Sequence, residues 1–117
     1  MSFGLELEQH RRTLIARMSG ELDHHASDEA RTRIDEAILR GNATHLILSL
    51  KDLTFMDSSG IGVILGRYKQ ISARGGRMVV CDVSPPVRRL MEMSGLFKII
   101  SVEPGEQEAL SSLGVVS

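Results

Sequence analysis

A carboxylate, two hydroxyls and two glycines lie close together in the segment Asp57–Gly62, whose sequence is Asp-Ser-Ser-Gly-Ile-Gly. The residues that follow are typical of a helix, so the segment marks a helix N-terminus, where backbone N–H groups lack partners and the dipole favours negative charge. A hydroxyl of Ser58 or Ser59 could cap those N–H groups, with the glycines giving a tight entry. Alternatively, an exposed hydroxyl here could accept a phosphoryl group, because the N–H groups would stabilise the phosphate. Spacing alone leaves both interpretations open.

The glycines also raise the question of a dinucleotide site. Gly60, Gly62 and Gly66 follow a strand, and Asp82 ends the next strand at about the position of a ribose-binding acid. However, residues 51–59 separate the predicted strand from the first glycine, whereas the fingerprint has its turn directly after the strand. The spacing is also G-x-G-x-x-x-G, and the chain has no room for a substrate domain. A small nucleotide-binding enzyme that uses Gly60 and Gly62 remains the alternative function.

A second polar segment contains Asp23, His24 and His25. A serine hydrolase would need this segment to approach Ser58, but the residue two places before that serine is methionine, where the G-x-S-x-G motif requires glycine. Adjacent histidine side chains diverge and do not readily chelate one ion, so no metal site is expected. The simpler interpretation is a polar loop that leads into a helix, with Asp23 or Ser27 as the N-cap.

Two hydrophobic periods alternate along the chain. Apolar residues at every second position predict strands, and apolar residues three or four apart predict helices. The predicted strands cover residues 3–7, 14–18, 45–50, 77–81 and 98–102, and the predicted helices begin near residues 26 and 85 and cover 58–73 and 104–113. Gly41 and Gly95 are placed to end the first and third helices. The order is β-β-α-β-α-β-α-β-α, which indicates an α/β fold.

Alternating strands and helices predict a single domain over residues 1–117, with a mixed and mostly parallel sheet that opens on an antiparallel pair. The runs 45–50 and 77–81 are nearly all apolar, which is typical of central strands covered on both faces. In open sheets of this kind, ligands and partners bind beyond the carboxyl ends of the strands. The segments 20–25 and 56–62 fall there, so both are candidate site segments.

Composition limits the possible partners. Fourteen basic and fifteen acidic residues give a formal charge of -1, which argues against a nucleic-acid or anionic-membrane surface built on bulk charge. Three Phe, one Tyr and no Trp leave few platforms for stacking bases. The single cysteine, Cys81, excludes an internal disulfide, and the sequence shows neither a signal peptide nor an apolar stretch approaching ~20 residues. We therefore expect a soluble cytoplasmic protein.

Three longer segments carry a resemblance to a known family: Gly20–His25, Phe55–Lys69 and Met93–Phe97. They resemble the STAS-domain anti-sigma factor antagonists, and among these the branch that acts in sporulation. The likeness covers nearly the whole chain, from about residue 5 to residue 115. Ile61 stands where leucine is commoner in the family, and a swap that conserves volume should be harmless. The resemblance implies a single STAS domain, which agrees with the predicted order of elements.

The resemblance further implies a cytoplasmic regulator that is not an enzyme. Proteins of this family bind an anti-sigma factor that is also a serine kinase with bound nucleotide, and thereby free its sigma factor. The kinase uses ATP to phosphorylate the first serine of the motif, here Ser58, which ends productive binding until a phosphatase removes the phosphate. No cofactor, metal, nucleic acid or membrane is implied. The implied partner-binding residues are Asp23, His24, His25, Asp57, Ser58, Ser59, Gly60 and Ile61.

Overall fold

The structure, a computed structural model, describes residues 2–115, and within this range five strands and four α-helices follow one another in the predicted order. Residues 1 and 116–117 of the predicted domain lie outside the description. The strands are β1 (Phe3–His10), β2 (Thr13–Leu22), β3 (His45–Met56), β4 (Met78–Cys81) and β5 (Ser101–Glu103). The helices are α1 (Ser27–Gly41), α2 (Ser58–Ala73), α3 (Pro85–Met93) and α4 (Glu106–Ser112), with a 3₁₀ turn at Leu96–Lys98.

The strands form one sheet in the order β1-β2-β3-β4-β5. β1 and β2 are antiparallel, with Phe3 opposite Gly20 and His10 opposite Thr13, and each later pair is parallel. The prediction of a mixed and mostly parallel α/β sheet is confirmed. Because β2, β3 and β4 run in the same direction, their carboxyl ends lie along one edge of the sheet.

The sheet is covered on both faces, by cores of different size. The larger core lies under α1, α2 and α3 and takes Leu46 and Leu48 from β3. The smaller core lies under α4, where Ile47 packs with Ala109 and Cys81. Alternate residues of β3 therefore enter opposite cores, which explains the continuous apolar run in its first half. Burial raises the pKa of the Cys81 thiol to about 12, so this group is neutral and unreactive at physiological pH.

β3 is longer than the sequence pattern predicts, because it continues through Met56 instead of ending at residue 50. The supposed spacer of residues 51–59 is therefore mostly strand, and α2 begins two residues after β3 ends. In this second half only Leu53 and Met56 are buried, and the pairing with β2 shifts register twice, once between Arg17 and Ser19. These irregularities interrupt the two-residue alternation, so neither a strand nor a helix period is visible in the sequence.

The last strand also differs from the prediction. β5 covers Ser101–Glu103 instead of residues 98–102, because residues 96–98 first close a 3₁₀ turn. Gly95 enters this turn with a φ of 80°, a conformation that glycine adopts at little cost. The remaining helix boundaries lie within two residues of those predicted, which is the usual error at helix ends.

Arg17 on β2 ties α4 to the sheet. Its guanidinium donates two hydrogen bonds to Glu106, from Nε to Oε2 at 2.7 Å and from Nη2 to Oε1 at 2.9 Å. The same guanidinium lies 2.8 Å from Glu8 and 3.3 Å from Glu6 on β1. These hydrogen bonds, opposed by partial burial, lower the pKa of Glu106 below its ordinary value of 4.5.

Acid is expected to weaken this anchor. The carboxyl of Glu106 has a lower pKa in the folded chain than in the unfolded chain, so it stabilises the fold at a pH above its unfolded pKa. This contribution is lost as the pH falls through the folded pKa. Wild type should therefore exceed Glu106→Gln in free energy of unfolding by about 1 kcal/mol at pH 7, since the partly exposed pair is screened by solvent. Urea titrations from pH 7 to about pH 3 should show the difference vanish; a difference independent of pH would contradict the role of the charge.

Candidate functional site

Asp57 caps helix α2 and leaves the neighbouring serine hydroxyl free. Its Oδ1 accepts hydrogen bonds from the backbone N–H of Ser59 at 2.9 Å and of Gly60 at 3.3 Å. The alternative that a serine caps this helix is therefore wrong. Ser58, the first residue of α2, is exposed, and within residues 2–115 its hydroxyl makes no hydrogen bond. An exposed hydroxyl at a helix N-terminus is open to a foreign active site.

The same carboxylate joins the two polar segments. Asp57 Oδ2 accepts a hydrogen bond from the backbone N–H of His24 at 3.1 Å, and the Asp57 N–H donates to the carbonyl of Leu22 at 3.4 Å. The last residues of β2 and β3, Leu22 and Met56, are also paired in the sheet. The segments that the sequence places at the carboxyl ends of neighbouring strands thus form one continuous surface.

Asp23 organises the other half of this surface. Its Oδ1 accepts hydrogen bonds from the N–H groups of His25 and Ala26, both at 3.0 Å, and its carbonyl accepts one from the Ser27 hydroxyl at 2.8 Å. Asp23 and Ser27 were the two predicted caps of α1. Asp23 accepts hydrogen bonds just before the helix, but the residue in the cap position is Ala26. His24 and His25 are both exposed, and their rings lie edge-on to each other with centroids 5.7 Å apart.

Of the two glycines of the motif, Gly60 serves packing. Gly60 is buried, and a Cβ at this position would lie 2.5 Å from Cγ of Met56 and 2.9 Å from the carbonyl oxygen of Leu22. Gly60 therefore lets α2 approach the ends of β2 and β3, and it is not open to a partner. Gly62 is exposed with nothing near, while Ile61 is partly buried against the larger core. A nucleotide-binding role for Gly60 is not supported.

The surface around Ser58 is acidic. An aspartate follows each of the three central strands, Asp23 after β2, Asp57 after β3 and Asp82 after β4. The connections that leave this edge, residues 23–26, 57, 82–84 and 104–105, contain no Lys or Arg. We call this edge, with its three aspartates, the acidic end. Among the described residues, no group of three or more His, Cys, Asp or Glu side chains is placed to hold a metal ion.

Comparison with known proteins identifies the family. The STAS domain profile matches residues 4–109. The chain belongs to the STAS domain family. It is 60% identical over 117 residues to an anti-sigma F factor antagonist of Paenibacillus polymyxa, and the match covers 100% of both chains. This relative and others of the same name are regulatory proteins, which confirms the expectation that the chain is not an enzyme.

Two solved structures of the antagonist SpoIIAA resemble this STAS domain closely. The unphosphorylated form has a TM-score of 0.83 at 37% identity, and the match covers 97% of this chain and 100% of that one. The phosphorylated form of the Bacillus protein has a TM-score of 0.74 at 38% identity, covering 93% and 98%. Within residues 2–115, this STAS domain has no helix with the length and apolar character needed to cross a bilayer.

One role in the site escapes the sequence pattern. Aspartate is a preferred N-cap, so its position before two serines could have identified Asp57 as the cap. Its second hydrogen bond, to His24 across 33 residues of chain, has no local signal. Phe55 is also unexpected, because this large apolar side chain is 45% exposed beside the acidic end.

Removal of the Asp57 carboxylate should cost stability. Asp57→Ala leaves the N–H groups of Ser59 and Gly60 without their acceptor and releases the loop at His24, so we expect a loss of about 1–2 kcal/mol in the free energy of unfolding. Asp57→Asn is the matched control, because its amide oxygen can still cap the helix while its NH₂ group cannot accept from the His24 N–H, so the loss should be smaller than that of Asp57→Ala, at about 0.5–1 kcal/mol. Urea unfolding followed by circular dichroism measures both. Equal losses would show that the charge matters more than the cap.

Proposed function

We propose that this STAS domain is an anti-sigma factor antagonist whose unphosphorylated form binds an anti-sigma F factor that is also a serine kinase. Binding frees the sigma factor, and transfer of the γ-phosphoryl group of ATP to Ser58 ends productive binding. A serine phosphatase restores the active form. The names of the relatives, among them anti-sigma F factor antagonists of two organisms, support this partner class. The protein acts in the cytoplasm, in the regulation of transcription during sporulation.

The observation that carries the proposal is the position of Ser58. Its hydroxyl is exposed at the first turn of α2, free of hydrogen bonds within the described residues. The kinase can therefore reach it without opening the fold. Asp57 and Asp23 hold the loops on either side in fixed positions, so the partner meets a preformed surface. Its contacts in this proposal are Asp23, His24, His25, Asp57, Ser58, Ser59 and Ile61.

Charge explains how one phosphate switches binding. Phosphorylation adds about -1.5 to -2 charges at the acidic end, beside Asp57, while the helix N-terminus returns only about 0.3–1 kcal/mol. Desolvation of that dianion in an interface costs several kcal/mol, and each 1.4 kcal/mol is about tenfold in affinity. Repulsion increases further if the kinase holds nucleotide phosphates nearby. The unfavourable interface contribution is therefore larger than the local stabilisation.

The switch needs no refolding of this domain. SpoIIAA has been solved in unphosphorylated and phosphorylated forms, and both resemble this chain over more than nine tenths of its length. This likeness supports a local mechanism, in which the phosphate changes the surface and leaves the sheet and helices in place.

Intact-mass measurement tests the proposal. The purified chain, mixed with the anti-sigma F factor of the same organism and ATP, should gain the mass of a single phosphoryl group. Ser58→Ala should gain none, while the matched control Ser72→Ala, at an exposed position in the last turn of the same helix, should be modified like wild type. Modification of Ser58→Ala, or none in wild type, would contradict the proposal. Turnover of nucleotide by the chain alone would instead favour the enzyme alternative.

A further inference from the structure

Basic residues collect at the end of the molecule opposite Ser58. The connections at the edge where the parallel strands begin contain five Lys or Arg and no Asp or Glu; they are residues 11–12, 42–44, 74–77 and 94–100. The last turn of α1 adds a sixth cation, and the last turn of α3 adds one carboxylate, Glu92, so cations outnumber carboxylates six to one. We call this edge the basic end, and its cations are Arg11, Arg12, Arg40, Arg74, Arg77 and Lys98. The formal charge of -1 conceals the segregation, because acidic residues in other parts of the chain balance these cations.

Three cations of the basic end have neutral partners. Arg12 Nε donates to the Thr44 hydroxyl at 3.1 Å. Two further arginines donate to backbone carbonyls, Arg74 Nε to that of residue 43 at 3.0 Å and Arg77 Nη1 to that of residue 112 at 2.9 Å. Within residues 2–115, no carboxylate lies within 4.0 Å of any of the six. Burial lowers the pKa of His45 at the same edge, and the charge of Arg77 lowers it further.

Exposed apolar side chains also lie at this end. Leu39 is 66% exposed in the last turn of α1, Met93 is 80% exposed at the end of α3, and Ile99 is 47% exposed just before β5. All three lie toward the basic end, because each of those segments ends or begins there. A pit of about 270 Å³ opens between α1 and the first two strands, with Leu7, Leu14 and Ala37 among its lining and Arg40 at its rim. Within the described residues, this end thus combines cations that lack a counter-charge with accessible apolar surface.

We propose that the basic end binds the surface of a bilayer that contains anionic phospholipids. Guanidinium and ammonium groups attract anionic headgroups, and exposed aliphatic side chains insert between them. Duplex nucleic acid would satisfy the cations but would leave Leu39, Met93 and Ile99 without a role, so the apolar side chains favour the membrane. Docking by this end directs Ser58, at the opposite edge of the sheet, away from the bilayer. The site stays accessible to a kinase in solution.

Vesicle co-sedimentation tests the membrane proposal with the full chain. Vesicles of phosphatidylcholine and phosphatidylglycerol should retain the protein at low salt and release it as the salt rises well above 0.1 M, where the Debye length is about 10 Å. Vesicles of phosphatidylcholine alone should not retain it. Equal retention on both vesicle types, or none on the anionic ones, would overturn the proposal. Retention by a DNA duplex without retention by anionic vesicles would assign the end to nucleic acid instead.

Matched variants locate the surface. Arg40→Gln/Lys98→Gln removes two cations that make no hydrogen bond within the described residues, and we expect the partition coefficient to fall about tenfold or more. Lys51→Gln/Arg89→Gln removes the same charge outside the basic end and should change it less than twofold. Equal losses in both variants would overturn the assignment. Ser58→Glu should bind vesicles like wild type, so this test and that of the phosphorylation switch fail or succeed independently.

Discussion

Replacement of Ser58 by glutamate is expected to weaken binding to the anti-sigma kinase by at least about 100-fold, or about 3 kcal/mol. Glutamate adds one negative charge at the acidic end, where Asp57 already lies against the start of α2. The charge must be desolvated when the partner covers this surface, and no cation of the connections at this end compensates it. The fold should be intact, since the position is exposed. Isothermal titration calorimetry with the kinase and a nonhydrolysable ATP analogue measures the loss.

Two controls separate charge at the interface from charge in general. Ser58→Ala should bind within about threefold of wild type, because the hydroxyl makes no hydrogen bond that the fold requires. Ser72→Glu places the same substitution on the same helix, at an exposed position in its last turn. Its affinity for the kinase should match wild type. Equal binding by Ser58→Glu and wild type would reject the switch.

The spacing of apolar residues along the sequence was sufficient to predict the strands and helices that pack against a core. Residues 45–50 of β3 alternate between the two cores and appear as one apolar run, and the stripe of α2 places Ile64 and Ile71 in the larger core. The second half of β3 could not be predicted in this way. Its register with β2 shifts twice, and its partner strand β4 ends beside Ser49, so burial no longer follows a two-residue period.

The site was predicted as two segments but not as a bonded unit. Spacing located both segments at the carboxyl ends of strands, and preference for polar caps pointed to the start of α2. The hydrogen bond between Asp57 and His24 depends on the register that places Leu22 beside Met56, which is a long-range property of the sheet. Composition likewise conceals the two charged ends, because their separation depends on which connections meet at each edge.

An ion pair between a buried arginine and a partly exposed aspartate links α2 to α1. Arg67 on α2 is only 8% exposed, and its Nε lies 2.9 Å from Asp35 Oδ1 on α1. The Arg67 Nε–H does not point at Asp35 Oδ1, so within the described residues neither atom has a hydrogen-bond partner. The two groups therefore interact through their opposite charges. Desolvation lowers the pKa of Arg67, opposed by the attraction of Asp35. Asp35 is thus the main group that compensates a cation held between two helices.

Asp35→Ala should therefore lower the free energy of unfolding by about 2–3 kcal/mol, because it leaves Arg67 buried without its counter-charge. The loss should be smaller than that of a fully buried pair, since one third of the Asp35 side chain is exposed. The double variant Asp35→Ala/Arg67→Met removes both charges and retains the packing volume, so its free energy of unfolding should return to within about 1 kcal/mol of wild type. Urea unfolding of the two variants and of Arg67→Met completes the cycle. A double variant no more stable than Asp35→Ala would show that the arginine stem packs α2 against α1, and that its charge contributes little.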